Sequence, residues 1–214
     1  MVLDNLIEKY YPKMKSIREY LHENPEIENN LPLTSTLVEK ELQELGFKIY
    51  KGFYKTGLIG ILRGKEEGKT LMLRADMDAL PINELTNLPY KSKNNFMHAC
   101  AHDGHTATLI GVANILNEVK ENIKGNIVFL FQPSEESNYG GAKYMIEDGV
   151  LDIIKIDASI SGHLWGGLPM GVIATKKGVV MAARDEFKII IKGKGGHGAM
   201  PSNCIDPIIV ASQI

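Results

Sequence analysis

Eleven consecutive residues, Met97 to Ala107, read MHACAHDGHTA and hold three of the chain's six histidines, one of its two cysteines and an aspartate. Cys100 and His102 are two apart, so extended backbone sends both side chains out from one face, while His102, Asp103 and His105 open a helix. Thiolate and imidazole converging in this way suit a soft-to-borderline divalent metal. The alternative is a helix start with Asp103 as its cap and solvated histidines.

A second constellation, QPSEE, places Glu135 and Glu136 directly after the apolar run NIVFLF. Open α/β sheets put their ligands at strand carboxyl ends. Two adjacent carboxylates there can divide labour, one holding a metal and the other taking a proton from an attacking water. The stretch RADMDALP follows another apolar run and sets Asp76 and Asp78 on one side of extended backbone. They could bind a metal, orient a ligand histidine by hydrogen bonding, or serve a proline-containing turn. His163 ends the run IDASISGH, and His197 sits in the glycine-rich KGKGGHGAMP, which lacks the pattern and strand-to-helix context of a phosphate loop.

The elements that must position these groups read as follows. Leu3, Leu6, Ile7, Tyr10, Met14, Ile17 and Leu21 recur at helical spacing, and Pro25 stops the helix. A second helix, capped by Thr34 or Ser35, ends at Gly46. FKIYKG, GLIGILRG, TLMLRAD and NIVFLFQP read as strands, the last buried on both faces, with a helix over Thr106 to Val119. Strand and helix in alternation predict a mostly parallel α/β sheet. Beyond Gly162, GVIATKKG and EFKIIIKGKGG read as further strands, the latter with an edge free to pair, and an apolar helix begins at Cys204. A second unit therefore starts near Val180, dividing the chain into 1–180 and 181–214. DPIIVASQI carries no helix stop, as expected of part of a longer protein.

Composition narrows the function. The 214 residues are 44% hydrophobic and 23% charged with a net charge of −2, which suits a globular chain and provides no basic footprint for nucleic acid or an anionic membrane. The apolar runs, such as Ile127 to Phe131, fall far short of the roughly 18 residues of a membrane span. Asp4 and Glu8 stand where an export signal would be basic and then apolar, and two cysteines outside any disulfide pattern suit a reducing compartment, so a cytoplasmic location is expected.

In order, RADMDALP, MHACAHDGHTA, QPSEE, GHLW and KGKGGHGAMP followed by DPI resemble the metal-dependent aminoacylase and carboxypeptidase amidohydrolases, which include hippurate hydrolases, N-acetyl-diaminopimelate deacetylases and auxin-conjugate amidohydrolases. The resemblance starts at REYLHENPE and runs to the last residue. It implies a phosphorylase/hydrolase-like α/β domain, a mixed sheet with flanking helices, and the start of an inserted α+β lid that dimerises. It further implies two divalent ions per site (zinc, manganese, cobalt or nickel), held by Cys100, His102, Glu136 and His163. Glu135 would be the general base, Asp78 would orient a ligand or the metal pair, and His197 would reach an active site, often the partner subunit's, to stabilise the transition state.

The implied substrate is an N-acyl amino acid or peptide-like small molecule, and the full-length protein a homodimer. A metallocarboxypeptidase, or an inactive metal-binding fragment, is the alternative. Two residues depart from the family pattern. Ala101 replaces a glycine, a change suited only to backbone without positive φ, and Ser202 stands where a histidine is frequent. Family members are nearly twice as long, the other half carrying most of the lid and a final metal-ligand histidine.

Overall fold

The computed structural model describes residues 2–137, 140–183 and 185–214. Five strands, β1 (Lys48–Phe53), β2 (Gly57–Arg63), β3 (Glu66–Asp76), β4 (Lys124–Gln132) and β5 (Ala158–Ser161), form one sheet in the order β1-β2-β4-β3-β5. Strand β3 runs parallel to β4 and β5, whereas the β1/β2 and β2/β4 pairs are antiparallel. The sheet is therefore mixed rather than mostly parallel. Its antiparallel half begins with a tight hairpin, in which Tyr54 and Lys55 take positive φ (43° and 70°) and leave no room for a crossover helix.

Leu58–Leu62 of β2 and Ile127–Phe131 of β4 carry no polar side chain because both faces of the sheet are covered there. Leu58, Leu62, Phe129 and Phe131 pack with Ile17 and Leu21 of α1 (Val2–Glu23), Val38 and Leu42 of α2 (Pro32–Glu44), and Ile110 and Ala113 of α3 (His102–Glu118). On the other face Ile59, Ile61, Val128 and Leu130 meet Met145 of α4 (Gly141–Glu147) and Val150. Each fully buried Leu, Ile or Phe contributes roughly 1.5–3 kcal/mol, and these clusters fix the sheet on which the site rests.

Helix α2 differs from expectation at its start. Thr34 and Ser35 lie inside it; Pro32 opens it, and the first backbone N–H groups, those of Leu33 (3.0 Å) and Thr34 (2.8 Å), donate to the two carboxylate oxygens of Glu26. A cap supplied by a residue before the helix, across a proline-containing turn, leaves no local sequence signature. Its end is as read: Gly46 takes φ 75°, its N–H donates to Gln43 O (2.9 Å) and that of Phe47 to Leu42 O (3.1 Å).

The chain divides into two compact units, Met1–Gly167 and Leu168–Ile214. In the second, GVIATKKG and EFKIIIKGKGG form no strand among the described residues, contrary to the sequence reading. Phe187, Ile189 and Ile190 are exposed, and an extended segment becomes a strand only where a neighbour takes its backbone hydrogen bonds. What forms there is a bridge between Lys194 and Ile205, a 3-10 turn (Pro201–Asn203) and the short helix α5 (Pro207–Ala211), whose cap Asp206 accepts the Ile208 N–H at 2.9 Å. No helix among the described residues is long and apolar enough to cross a membrane.

Glu26→Ala removes both acceptors at the α2 N-terminus and is expected to cost about 1 kcal/mol. The check is urea unfolding, with a lower midpoint at unchanged slope, and with Glu26→Gln, which keeps one acceptor, falling between.

Candidate metal centre

Parallel pairing of β3 with β4 sets Asp76 opposite Gln132, so RADMDALP and QPSEE leave the sheet side by side at its carboxyl edge. Beyond that edge Asp78 holds three groups at once. Its carboxylate accepts the backbone N–H of Glu135 (2.9 Å) and of Glu136 (3.0 Å), and its carbonyl accepts Nδ1–H of His102 (2.7 Å).

A carbonyl can only accept, so a His102 proton sits on Nδ1 and Nε2 is the nitrogen left to face the site. That nitrogen is buried and has no hydrogen-bond partner among the described residues. Around it stand Asp76 Oδ2 at 3.6 Å, Glu136 Oε1 at 3.8 Å and Glu135 Oε2 at 4.0 Å. A buried imidazole nitrogen without a hydrogen-bond partner, set among carboxylates, is costly in isolation and is what a metal cation would satisfy.

Cys100 and His163 complete the surroundings. His163 donates Nδ1–H to Leu164 O (2.6 Å), which leaves Nε2 free to accept the Cys100 thiol at 3.4 Å. Burial and then the nearby Glu136, Glu135 and Asp76 push the Cys100 thiol up to about 12. A divalent cation reverses that logic and deprotonates a coordinating thiol. Burial, then the charge of Glu136, likewise raises the Glu135 carboxyl above its ordinary value.

Among the described residues, three groups of donor atoms lie within 4.8 Å of one another: Cys100, His102 and His163; His102, Glu135 and Glu136; Asp76, His102 and His105. The third is already hydrogen-bonded. His105 donates Nδ1–H to Asp76 Oδ1 (2.6 Å) and accepts the Leu164 N–H at Nε2 (2.9 Å), while Arg74 holds Asp76 Oδ2 (2.8 Å). Burial opposes ionisation of Asp76, but the His105 hydrogen bond and the Arg74 charge prevail and hold its carboxyl below the usual range. The first two groups, with thiol, imidazole and carboxylate around one unpartnered nitrogen, fit a divalent metal.

The turns that carry these donors are strained. Ala101, between Cys100 and His102, takes φ 63°, and so does Ser134, just before Glu135. The departure from glycine at Ala101 thus falls on backbone that does adopt positive φ, because the chain reverses there to start α3, Gly104 N donating back to Ala101 O (2.9 Å). Behind Ser134, Gly141 N donates to Ser134 O (2.8 Å), and a Cβ on Gly141 would lie 1.8 Å from Pro133 O, so only glycine lets α4 back the QPSEE turn this closely.

The structure brings Asp78, Cys100, His102, Glu135, Glu136 and His163 together within the first unit. His197 lies in the second unit, exposed, its Nδ1 accepting the Ala199 N–H (3.1 Å). The sequence reading allowed Asp76 to hydrogen-bond a histidine without naming His105, and it missed the Arg74–Asp76 contact. Arg74 and Asp76 are two apart on a strand, so their shared face was the available signal.

The model of Peptidase family M20/M25/M40 matches residues 72–210. The chain belongs to this family. Among curated relatives, it is similar to thermostable carboxypeptidase 2 of Saccharolobus solfataricus (44% identical, covering 98% of this chain and 56% of the relative) and to an N-acetyl-L-cysteine deacetylase of Bacillus subtilis (47% identical, covering 92% and 47%). Among solved structures of the M20 family it resembles a Bacillus subtilis protein described as a dinuclear metal-binding peptidase. That match has a TM-score of 0.75 and 39% identity, and covers 80% of this chain and 48% of the other. The chain spans about half the length of the curated relatives it matches.

Two outcomes follow. Ala101→Gly relieves a left-handed alanine and should stabilise the chain by about 1 kcal/mol, seen as a higher urea midpoint; no gain would mean the turn is unstrained. Asp78→Ala frees the Glu135–Glu136 backbone and should weaken zinc binding roughly 10- to 100-fold in chelator competition.

Proposed function

We propose that this M20-family chain carries the metal-holding half of a hydrolase that cleaves the amide bond of N-acyl amino acids or related small conjugates. The observation that carries this reading is the buried, unpartnered Nε2 of His102 between the Cys100–His163 pair and the Glu135–Glu136 pair. Cys100, His102, Glu136 and His163 would hold two divalent ions, zinc, manganese, cobalt or nickel, with the thiolate–imidazole side favouring zinc or cobalt. Divalent ions there supply electrophilic polarisation of the amide carbonyl and acidify the attacking water.

The remaining work belongs to the chain. Glu135 is the more exposed carboxylate of its pair, and its raised proton affinity suits a group that takes the water's proton and returns it to the leaving amine. Asp78 keeps the backbone of Glu135 and the ring of His102 at fixed mutual positions. His197, in its glycine-rich loop, is assigned to a lid and dimerisation domain beginning at 181, reaching a transition state in the homodimer of the full-length cytoplasmic enzyme. A carboxypeptidase acting on free C-termini is the second reading, favoured by the similarity to the Saccharolobus carboxypeptidase at 44% identity.

The test is hydrolysis of N-acetyl amino acids against peptides with free C-termini, by the purified chain with added divalent metal. Glu135→Gln should lower turnover by about 10²–10⁴-fold with metal content unchanged. No turnover, with less than about one ion bound per chain, would mean that this half alone is an inactive fragment of such an enzyme.

A further inference from the structure

REYLHENPE, at the end of α1, takes no part in the chemistry above, yet it touches the metal centre from behind. Arg18 and His22 are one helical turn apart on one face of α1. Both donate to the same oxygen of Asp103, the residue after His102: Arg18 Nε at 3.0 Å and His22 Nδ1 at 2.9 Å from Oδ2. Asp103 is fully buried, and its other carboxylate oxygen has no partner among the described residues, so these two donors are its whole clamp.

The far side of His22 extends the clamp. Its Nε2 faces Glu84 Oε1 at 3.3 Å, and carboxylates only accept, so His22 carries a proton on both nitrogens and sits as a cation between two anions. Glu84 accepts Thr86 Oγ1–H and the Ser92 N–H (2.7 Å), fixing the segment that returns through the Leu80–Met97 bridge to Cys100. Tyr90 covers the group, its hydroxyl 3.2 Å from Arg18 and its ring edge-on to His22. Two cations and two anions, three of the four groups buried, thus converge on the first turn of α3. That turn is also the strained one, holding Ala101 at φ 63°.

We propose that Arg18 and His22 are positioning residues of the metal centre, acting on Cys100 and His102 through Asp103. Without them the α3 turn keeps a buried carboxylate with no counter-charge, and it relieves that by rotating toward solvent, carrying the Cys100–Ala101–His102 turn out of register with Glu136 and His163. The inference rests on the metal-centre reading above.

The test uses Co²⁺ as the probe on the purified chain, reading affinity by titration, and ligand field and thiolate charge transfer by absorption. Arg18→Ala and His22→Gln should weaken Co²⁺ binding about 10- to 100-fold and alter the d–d bands, with Arg18→Lys recovering part of both. Lys9→Ala, which removes the exposed Lys9–Glu118 pair (2.6 Å) between the far ends of the same two helices, should leave affinity and spectrum unchanged. Circular dichroism of the metal-free variants establishes folding; if His22→Gln does not fold, the half-exposed Arg18 decides through its two variants. Variants that melt earlier but bind Co²⁺ with wild-type affinity and spectrum overturn the positioning role. A wild-type chain that takes up no Co²⁺ overturns the metal-centre reading itself, and this proposal with it.

Discussion

Three hydrogen bonds converge on Asp78, and the geometry of the centre depends on them. Two backbone N–H groups meet its carboxylate, one on each oxygen, and so satisfy a fully buried polar group. The same residue's carbonyl sets the tautomer of His102 and so decides which nitrogen faces the carboxylates. One residue thereby ties the turn after β3 to the turn after β4 and to the start of α3. Neither the turn after β4 nor the reversal into α3 could hold its donors alone, because each passes through a left-handed non-glycine residue, Ser134 or Ala101, that relaxes unless neighbours over-determine it.

The sheet makes that convergence possible. Only where β3 and β4 run parallel do their carboxyl ends open on the same edge, and the antiparallel β1–β2 hairpin lies away from it at one side. Apolar clusters on both faces keep β4 from sliding, since a shift of one residue would exchange Phe129 and Phe131 for Val128 and Leu130 between the two cores.

Much of this was legible in the sequence. The 3.6-residue spacing from Leu6 to Leu21, the apolar run NIVFLF and the left-handed Gly46 read through to elements because each is a local signal with a packing cause. The crowding of Cys100, His102 and His105 and the Glu135–Glu136 pair pointed to one site because such residues rarely cluster without use. What failed to read was non-local. Glu26 caps a helix from across a turn, and Arg18 and His22 look like solvated residues of an amphipathic helix until Asp103 arrives beside them. EFKIIIKG has the composition of a strand, but composition does not supply the neighbour that a strand requires. Ala101 was marked by the glycine it replaces, while its conformation is set by the reversal into α3.

The groups that meet at the centre are also far apart along the chain. His102 is aimed by a residue 24 positions away, Glu135 and Glu136 by one 57 and 58 away, Cys100 meets His163 across 63 positions, and Arg18 meets Asp103 across 85. Loops of that length cost closure entropy before any contact rewards them. The strand pairings of the sheet close loops of the same size, 56 residues between Asp76 and Gln132 and 87 between Leu71 and Ala158. A zinc finger gathers its ligands from neighbouring residues and folds around its ion; here the donors are gathered by the same long-range closures that build the sheet.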